Sequence, residues 1–161
     1  MRDADFERLY EREAQGLFGF FAYRTGDRAL AEDLMADTFE RALRARRRFD
    51  RRRGSERTWL YAIALNLLRD HARRAAAEGR AVGRVAGAAP TAEEAPELEA
   101  VEHRDAVQRA LQVLSADERE AIALRFGADL TVPEIARLLG EPLTTVEGRV
   151  YRALRKLRGR M

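Results

Sequence analysis

Two stretches of this chain concentrate residue types that bind polyanions. The first is RRRFDRRRGSER, residues 46–57. Six arginines surround Phe49-Asp50, and an apolar helical pattern opens at Thr58-Trp59. Arginine offers a planar fork of donors that matches phosphate oxygens. Clustered arginine beside aromatic rings can hold single-stranded nucleic acid, with charge along the backbone and rings under the bases. A run this basic repels itself unless a polyanion meets it. The second stretch is TVPEIARLLGEPLTTVEGRVYRALRKL, residues 131–157. Ala136, Gly140 and Val146 carry the spacing of a helix-turn-helix: a small residue for close approach, a glycine for the turn, an apolar residue to dock the second helix. At about 100° per residue, Val146, Val150, Ala153 and Leu157 turn inward. Thr144, Gly148, Tyr151, Arg152 and Arg155 then face outward, toward a major groove or its phosphates. The same pattern fits a packing hairpin with a solvated arginine face. The basic tail Arg155, Lys156, Arg158 and Arg160 favours DNA.

A third stretch, EDLMADTFE at 32–40, has the opposite character. Glu32, Asp33, Asp37 and Glu40 share much of one helix surface, just ahead of the basic run. As a solvated face, its internal arginine pairs contribute little. A DNA-binding chain gains nothing by turning such a stripe to DNA, so a basic protein partner is the functional expectation.

Catalysis is not expected. The chain has 161 residues, no cysteine and two histidines, His71 and His103, in different segments. There is no HExxH, P-loop or nucleophile elbow. Glu32 and Asp33 are adjacent and so diverge on a helix. No cofactor and no metal site are expected. No apolar run reaches membrane-spanning length, and the stretch MRDADFERLYERE is charged, without a signal-peptide core. The expected address is the cytoplasm. A stand-alone helix-turn-helix regulator, with a sensing or dimerising first half, is one reading of such a chain.

The elements that must position these stretches are helices. Phe6, Tyr10, Ala14, Leu17 and Phe21 follow helical spacing until TGD at 25–27 breaks it. Asp27 caps a second helix, with Leu30, Leu34, Thr38 and Ala42 on one face. Ser55 caps a third, running to about Arg74, in which Trp59 and Tyr61 read as core. Residues 76–96, AAEGRAVGRVAGAAPTAEEAP, have the composition of a tether without stable helix or strand across most of 78–96. Beyond it lie the stripe Val107, Ala110, Leu111 and Leu114, then capping boxes Ser115-x-x-Glu118 and Thr131-x-x-Glu134, with Gly127 placed to end the intervening helix. Basic and acidic residues number 17 and 13 over 1–75, 2 and 5 over 76–100, and 11 and 9 over 101–161. The expectation is an all-α chain: a three-helix domain at 1–75, a flexible linker at 76–100 and a four-helix domain at 101–161.

In this order, the pieces resemble extracytoplasmic-function sigma factors of bacterial RNA polymerase, of the sigma-70 family. The stretches that carry the likeness are FERLYEREAQGLFGFFAYRTGDRALAEDLMADTFERALR, FDRRRGSERTWLYAIALNLLRDHARR and VLSADEREAIALRFGADLTVPEIARLLGEPLTTVEGRVYRALRKL. They look like regions 2 and 4 of that family. The resemblance implies that Glu32, Asp33, Asp37 and Glu40 dock on the β′ clamp helices of core polymerase. It implies that Arg51, Arg52, Arg53, Ser55, Arg57, Asn66, Asp70, Arg73 and Arg74 meet the melted minus-ten element. It gives Thr144, Thr145, Glu147, Gly148, Arg149, Tyr151, Arg152, Arg155 and Lys156 to the minus-35 duplex, and the last module to the β flap. A linker of twenty-odd residues reaches at most about 70 Å, enough for roughly 17 base pairs at about 3.4 Å each, near 60 Å. With no cysteine pair and no ligand motif, control is expected from expression level or from a sequestering anti-sigma protein.

The sequence departs from the family pattern at four positions. Ala36 replaces the usual Gln of the acidic helix, and Leu65 the Arg that usually precedes Asn66. Glu147 stands where a basic residue is frequent, and Gly148 where Ser is common. Glu147 can accept from a cytosine amine or repel phosphate.

Overall fold

The computed structural model describes residues 1–82 and 106–159. Helices α1 (Asp3–Thr25), α2 (Arg28–Ala45) and α3 (Glu56–Val82) pack on one another. They are followed by α4 (106–111), α5 (Ala116–Ile122), α6 (Val132–Leu139) and α7 (Leu143–Arg158). No strand occurs among the described residues, and the expected all-α class holds.

In α1 the residues Leu9, Glu13, Leu17 and Phe20 recur at helical intervals and are buried together with Phe21. This stripe is displaced from the expected one. Leu9 goes inside, while Tyr10 is 47% exposed and lies against the Phe39 ring, centroids 4.7 Å apart. Gly26 ends the helix with a left-handed φ of 70°, its N–H donating to the Ala22 carbonyl. Asp27 then caps α2 by accepting from the Leu30 N–H at 3.1 Å. Leu34, Thr38 and Ala42 face the core as expected, joined by Ala31 and Phe39. The buried Thr38 hydroxyl is satisfied by donating to the Leu34 carbonyl at 2.7 Å.

A single 3-10 turn, Arg46–Arg48, follows α2. The Ser55 hydroxyl accepts from the Thr58 N–H at 3.1 Å and starts α3. This helix buries Leu60, Tyr61, Ala64, Leu65, Leu67 and Leu68. Trp59 sits at the core's edge and packs on Phe49, ring centroids 5.3 Å apart. The helix runs on to Val82, well past Arg74. Ala75, Ala76, Ala77 and Glu78 are strong helix formers and carry it into the stretch read as a tether. The rest of that stretch falls within residues 83–105, which lie outside the described residues.

Both capping boxes form as expected, Ser115 with Glu118 and Thr131 with Glu134. Gly127 ends this helix as expected, without a positive φ. Residues Ala123–Gly127 widen into a π-helical turn, closed by the Ala128 N–H on the Ala123 carbonyl at 3.0 Å. Such turns occur where a helix must present an unusual surface. Here the turn lays Gly127 against Gly19 of α1. The turn between α6 and α7 uses Gly140 at φ 65°. Val146, Val150 and Ala153 bury the inner face of α7.

Candidate nucleic-acid interface

Three surfaces carry the expected residues, and they are distinct. On α2, Glu32, Asp33, Asp37 and Glu40 are all exposed. Glu40 pairs with Arg44 at 2.6 Å. Among the described residues no basic side chain pairs with Glu32, Asp33 or Asp37.

The second surface lies between α2 and α3. Arg51, Arg52 and Arg53 project from the loop and are exposed. The Asp50 carboxylate accepts from the Arg52 N–H at 3.0 Å and shapes the turn. A shallow groove beside the loop is lined by Arg41, Asn66, Arg69, Asp70 and Arg73, and continues along Arg44 and Arg48. Arg41, Arg44 and Arg69 were not singled out by the sequence reading, and Arg48 only as part of the basic run. Their signal was available: Arg41, Arg44 and Arg48 recur every three or four residues, as do Asn66, Arg69 and Arg73, so each set forms one helical stripe. Arg73 is held by Asp70, and Arg74 is exposed.

Two residues expected in this surface are engaged elsewhere. The Ser55 hydroxyl caps α3 and shares a 2.9 Å hydrogen bond with the Thr58 hydroxyl. Arg57 turns away from the loop. Its Nε donates to both carboxylate oxygens of Glu13, at 2.7 and 3.2 Å, and its Nη1 donates to Glu134 at 3.2 Å. Burial works against its charge, but the bonds to Glu13 prevail and raise its pKa. Glu13 is a carboxylate in the core, with its side chain 4% exposed. Sequence reading missed it because it sits in an apolar stripe and its partner lies 44 residues away.

The third surface is the outer face of α7. Thr144, Thr145, Glu147, Tyr151, Arg152, Arg155 and Lys156 are exposed. Tyr151, 64% exposed, is the most exposed of the large apolar side chains described. The Arg152 guanidinium folds back over Gly148: a Cβ there would lie 3.1 Å from Nη1. Glycine therefore lets this guanidinium lie close on the helix. Arg149 does not share the outer face. Its side chain, 14% exposed, donates to Glu141 at 2.7 Å, and that hydrogen bond raises its pKa. Lys156 is exposed but committed, its ammonium 2.7 Å from Glu118. That bond, with the Ser115 N–H, holds the Glu118 carboxyl below its ordinary range. No group of metal-ligating side chains occurs among the described residues. No described helix is long and apolar enough to cross a membrane.

Comparison with known proteins matches the sigma-70 region 2 family over residues 9–78 and the sigma-70 region 4 family over residues 104–157. The extracytoplasmic-function sigma factor SigC of Mycobacterium tuberculosis is 34% identical over 149 residues, covering 91% of this chain and 78% of that one. The chain belongs to the extracytoplasmic-function group of the sigma-70 family. BldN of Streptomyces coelicolor, another such sigma factor, is 32% identical over 154 residues, 94% of this chain and 58% of BldN. The chain thus spans less than two thirds of that relative. Among solved structures, the sigma factor RpoE in complex with the anti-sigma factor NepR, from Bartonella quintana, superposes with a TM-score of 0.77 at 26% identity. It covers 97% of this chain and 96% of that one. Against the family pattern, two departures of this sigma factor now have a place. Ala36 is exposed on the acidic face, leaving that face to its carboxylates. Leu65 is 3% exposed in the core and presents nothing to a nucleic acid.

Proposed function

We propose that the chain is a promoter-recognition subunit of RNA polymerase. The acidic face of α2 docks on the β′ clamp helices of core polymerase. The loop arginines and the groove from Arg41 to Arg73 hold the melted minus-ten strand, its backbone tracked by guanidinium groups. Helix α7 reads the minus-35 duplex through Thr144, Tyr151, Arg152 and Arg155, while the module that bears it rests on the β flap. Arg57, Arg149 and Ser55 serve the scaffold, not the nucleic acid. Lys156 ties α7 to α5. The factor works in the cytoplasm, performs no catalysis of its own and needs no cofactor. An anti-sigma protein sequesters it, as the pairing of RpoE with NepR suggests. The observation that carries this reading is the separation of one acidic face from two basic ones.

The reading predicts the footprint on a cognate promoter. With core polymerase added, protection extends over both elements and the minus-ten bases become reactive to single-strand reagents. Without polymerase, protection is weak and limited to the minus-35 duplex. A full footprint from the chain alone would instead establish a stand-alone regulator.

A further inference from the structure

Glu147 is the one acidic side chain of a helix that otherwise bears Arg149, Arg152, Arg155, Lys156 and Arg158. From Glu118 to Glu141, every carboxylate of the second module is ion-paired: Glu118 with Lys156, Glu120 with Arg69, Asp129 with Arg125, Glu134 with Arg57 and Glu141 with Arg149. Glu147 is exposed, and no cation among the described residues pairs with it. Its spacing explains this. The residues three and four positions away along the helix are Leu143, Thr144, Val150 and Tyr151, none of them basic.

The outer face of α7 carries two columns at four-residue spacing. Thr144, Gly148 and Arg152 form one, and Glu147, Tyr151 and Arg155 the next. The Arg152 guanidinium lies over Gly148, next to Glu147 on the helix, yet does not take up its carboxylate. A recognition helix reaches base edges with its N-terminal residues, and Glu147 lies in that half of α7. An ionised carboxylate only accepts. In a groove without a donor it would be a desolvated, unmatched charge, which is costly. Guanine and thymine show it only acceptors. Adenine's amine lies between two acceptors, its own N7 and the thymine O4, whereas cytosine's N4 has an acceptor on one side only. Cytosine is therefore the base edge that suits Glu147.

We propose that Glu147 is a specificity-determining residue: its carboxylate accepts from a cytosine N4 amine, so the duplex element read by α7 must carry a C·G pair at that position. This rests on the functional reading above, in which α7 enters the minus-35 duplex. Gly148 is its positioning neighbour. Without a side chain there, the helix surface beside the carboxylate comes close to the base edges. Arg152, laid along that surface, offers its fork to guanine O6 and N7 on a neighbouring pair. The glycine costs the helix up to about 1 kcal/mol against alanine, and close approach is what it gives in return. An acceptor and a donor side by side select more sharply than arginines alone, which would also hold phosphate.

Selection of DNA by the holoenzyme tests this. Genomic fragments retained by the chain with core polymerase are recovered, the duplex upstream of the melted segment is randomised, and the holoenzyme selects again. Wild type is expected to recover a C·G pair at one position, and exchanging that pair for any other should weaken binding by about five- to 150-fold. Glu147→Ala should become indifferent at that position and keep every other preference. Glu147→Gln should prefer A·T there, because an amide matches adenine N6 and N7. Both variants should keep wild-type helix content by circular dichroism, since the side chain is exposed. A role confined to the fold would not move the preferred base. If Glu147→Ala recovers the wild-type element with undiminished preference at each position and merely binds all duplexes more tightly, the carboxylate only repels phosphate and the assignment is overturned. Continued preference for cytosine in Glu147→Gln would overturn it equally. If wild-type holoenzyme retains no fragment, the functional reading falls and this assignment with it. If fragments are retained but the base preference ignores residue 147, the assignment alone falls.

Discussion

Reversing Asp33 and Asp37 to arginine is expected to abolish capture of core polymerase while leaving the helix intact. Both side chains are exposed, and neither is used in an ion pair among the described residues. They lie four residues apart and so share one face of α2. Their replacement removes no packing, because the α2 core face consists of Ala31, Leu34, Thr38, Phe39 and Ala42. Surface changes of this kind usually alter stability by less than about 0.5 kcal/mol. Binding is a different matter. Two carboxylates facing a basic partner become two cations, and like-charge juxtaposition across an interface costs several kcal/mol. Pull-down of core polymerase should fall by more than about a hundredfold, or roughly 3 kcal/mol. Circular dichroism should be unchanged. Undiminished pull-down would remove α2 from the docking surface.

Arg57→Gln is expected to act in the opposite way, on stability first. Glu13 is buried, and Arg57 supplies its two shortest hydrogen bonds. Removing one partner of a buried pair typically costs about 3–5 kcal/mol. Arg12 remains near Glu13 at 3.5 Å, so the lower end applies, about 3 kcal/mol. For a chain of this size that lowers Tm by roughly 6–12 °C. Chemical denaturation of the variant beside wild type reads the loss directly. Adding Glu13→Gln should recover much of the loss. Arg52→Gln and Arg53→Gln provide the contrast, leaving Tm near wild type while weakening single-strand binding and flattening its salt dependence. If Arg57→Gln melts like wild type, Glu13 does not depend on this pair.

Local features of the fold were legible because they rest on local chemistry. Asp27, Ser55, Ser115 and Thr131 cap helices through hydrogen bonds that span three residues. Gly140 takes the turn between α6 and α7 because the backbone there needs a positive φ. The features that escaped are those set by distant partners. Glu13 carries no local sign of burial until Arg57 is brought to it by the crossing of α1 and α3. Gly127 ends its helix as its type suggests, but nothing local reveals the π-helical turn that lays it on Gly19. Arg57 and Arg149 read as phosphate ligands beside their basic neighbours, yet both turn to carboxylates that periodicity does not reveal. The exposure of Glu32, Asp33, Asp37 and Glu40 on α2, and of Thr144, Tyr151, Arg152 and Arg155 on α7, was legible, since exposure on a helix follows directly from its period.

The central claim is that this chain confers promoter-specific initiation on RNA polymerase. Run-off transcription tests it most directly. Purified core polymerase and a template from the chain's own genome are combined with and without the chain, the template selected by its footprint with the holoenzyme. The expected result is a discrete transcript that requires the chain, disappears with the Asp33→Arg, Asp37→Arg variant and is lost when the minus-35 segment is scrambled. Core polymerase that yields the same transcript without the chain, or no transcript with it from any footprinted template, would contradict the account.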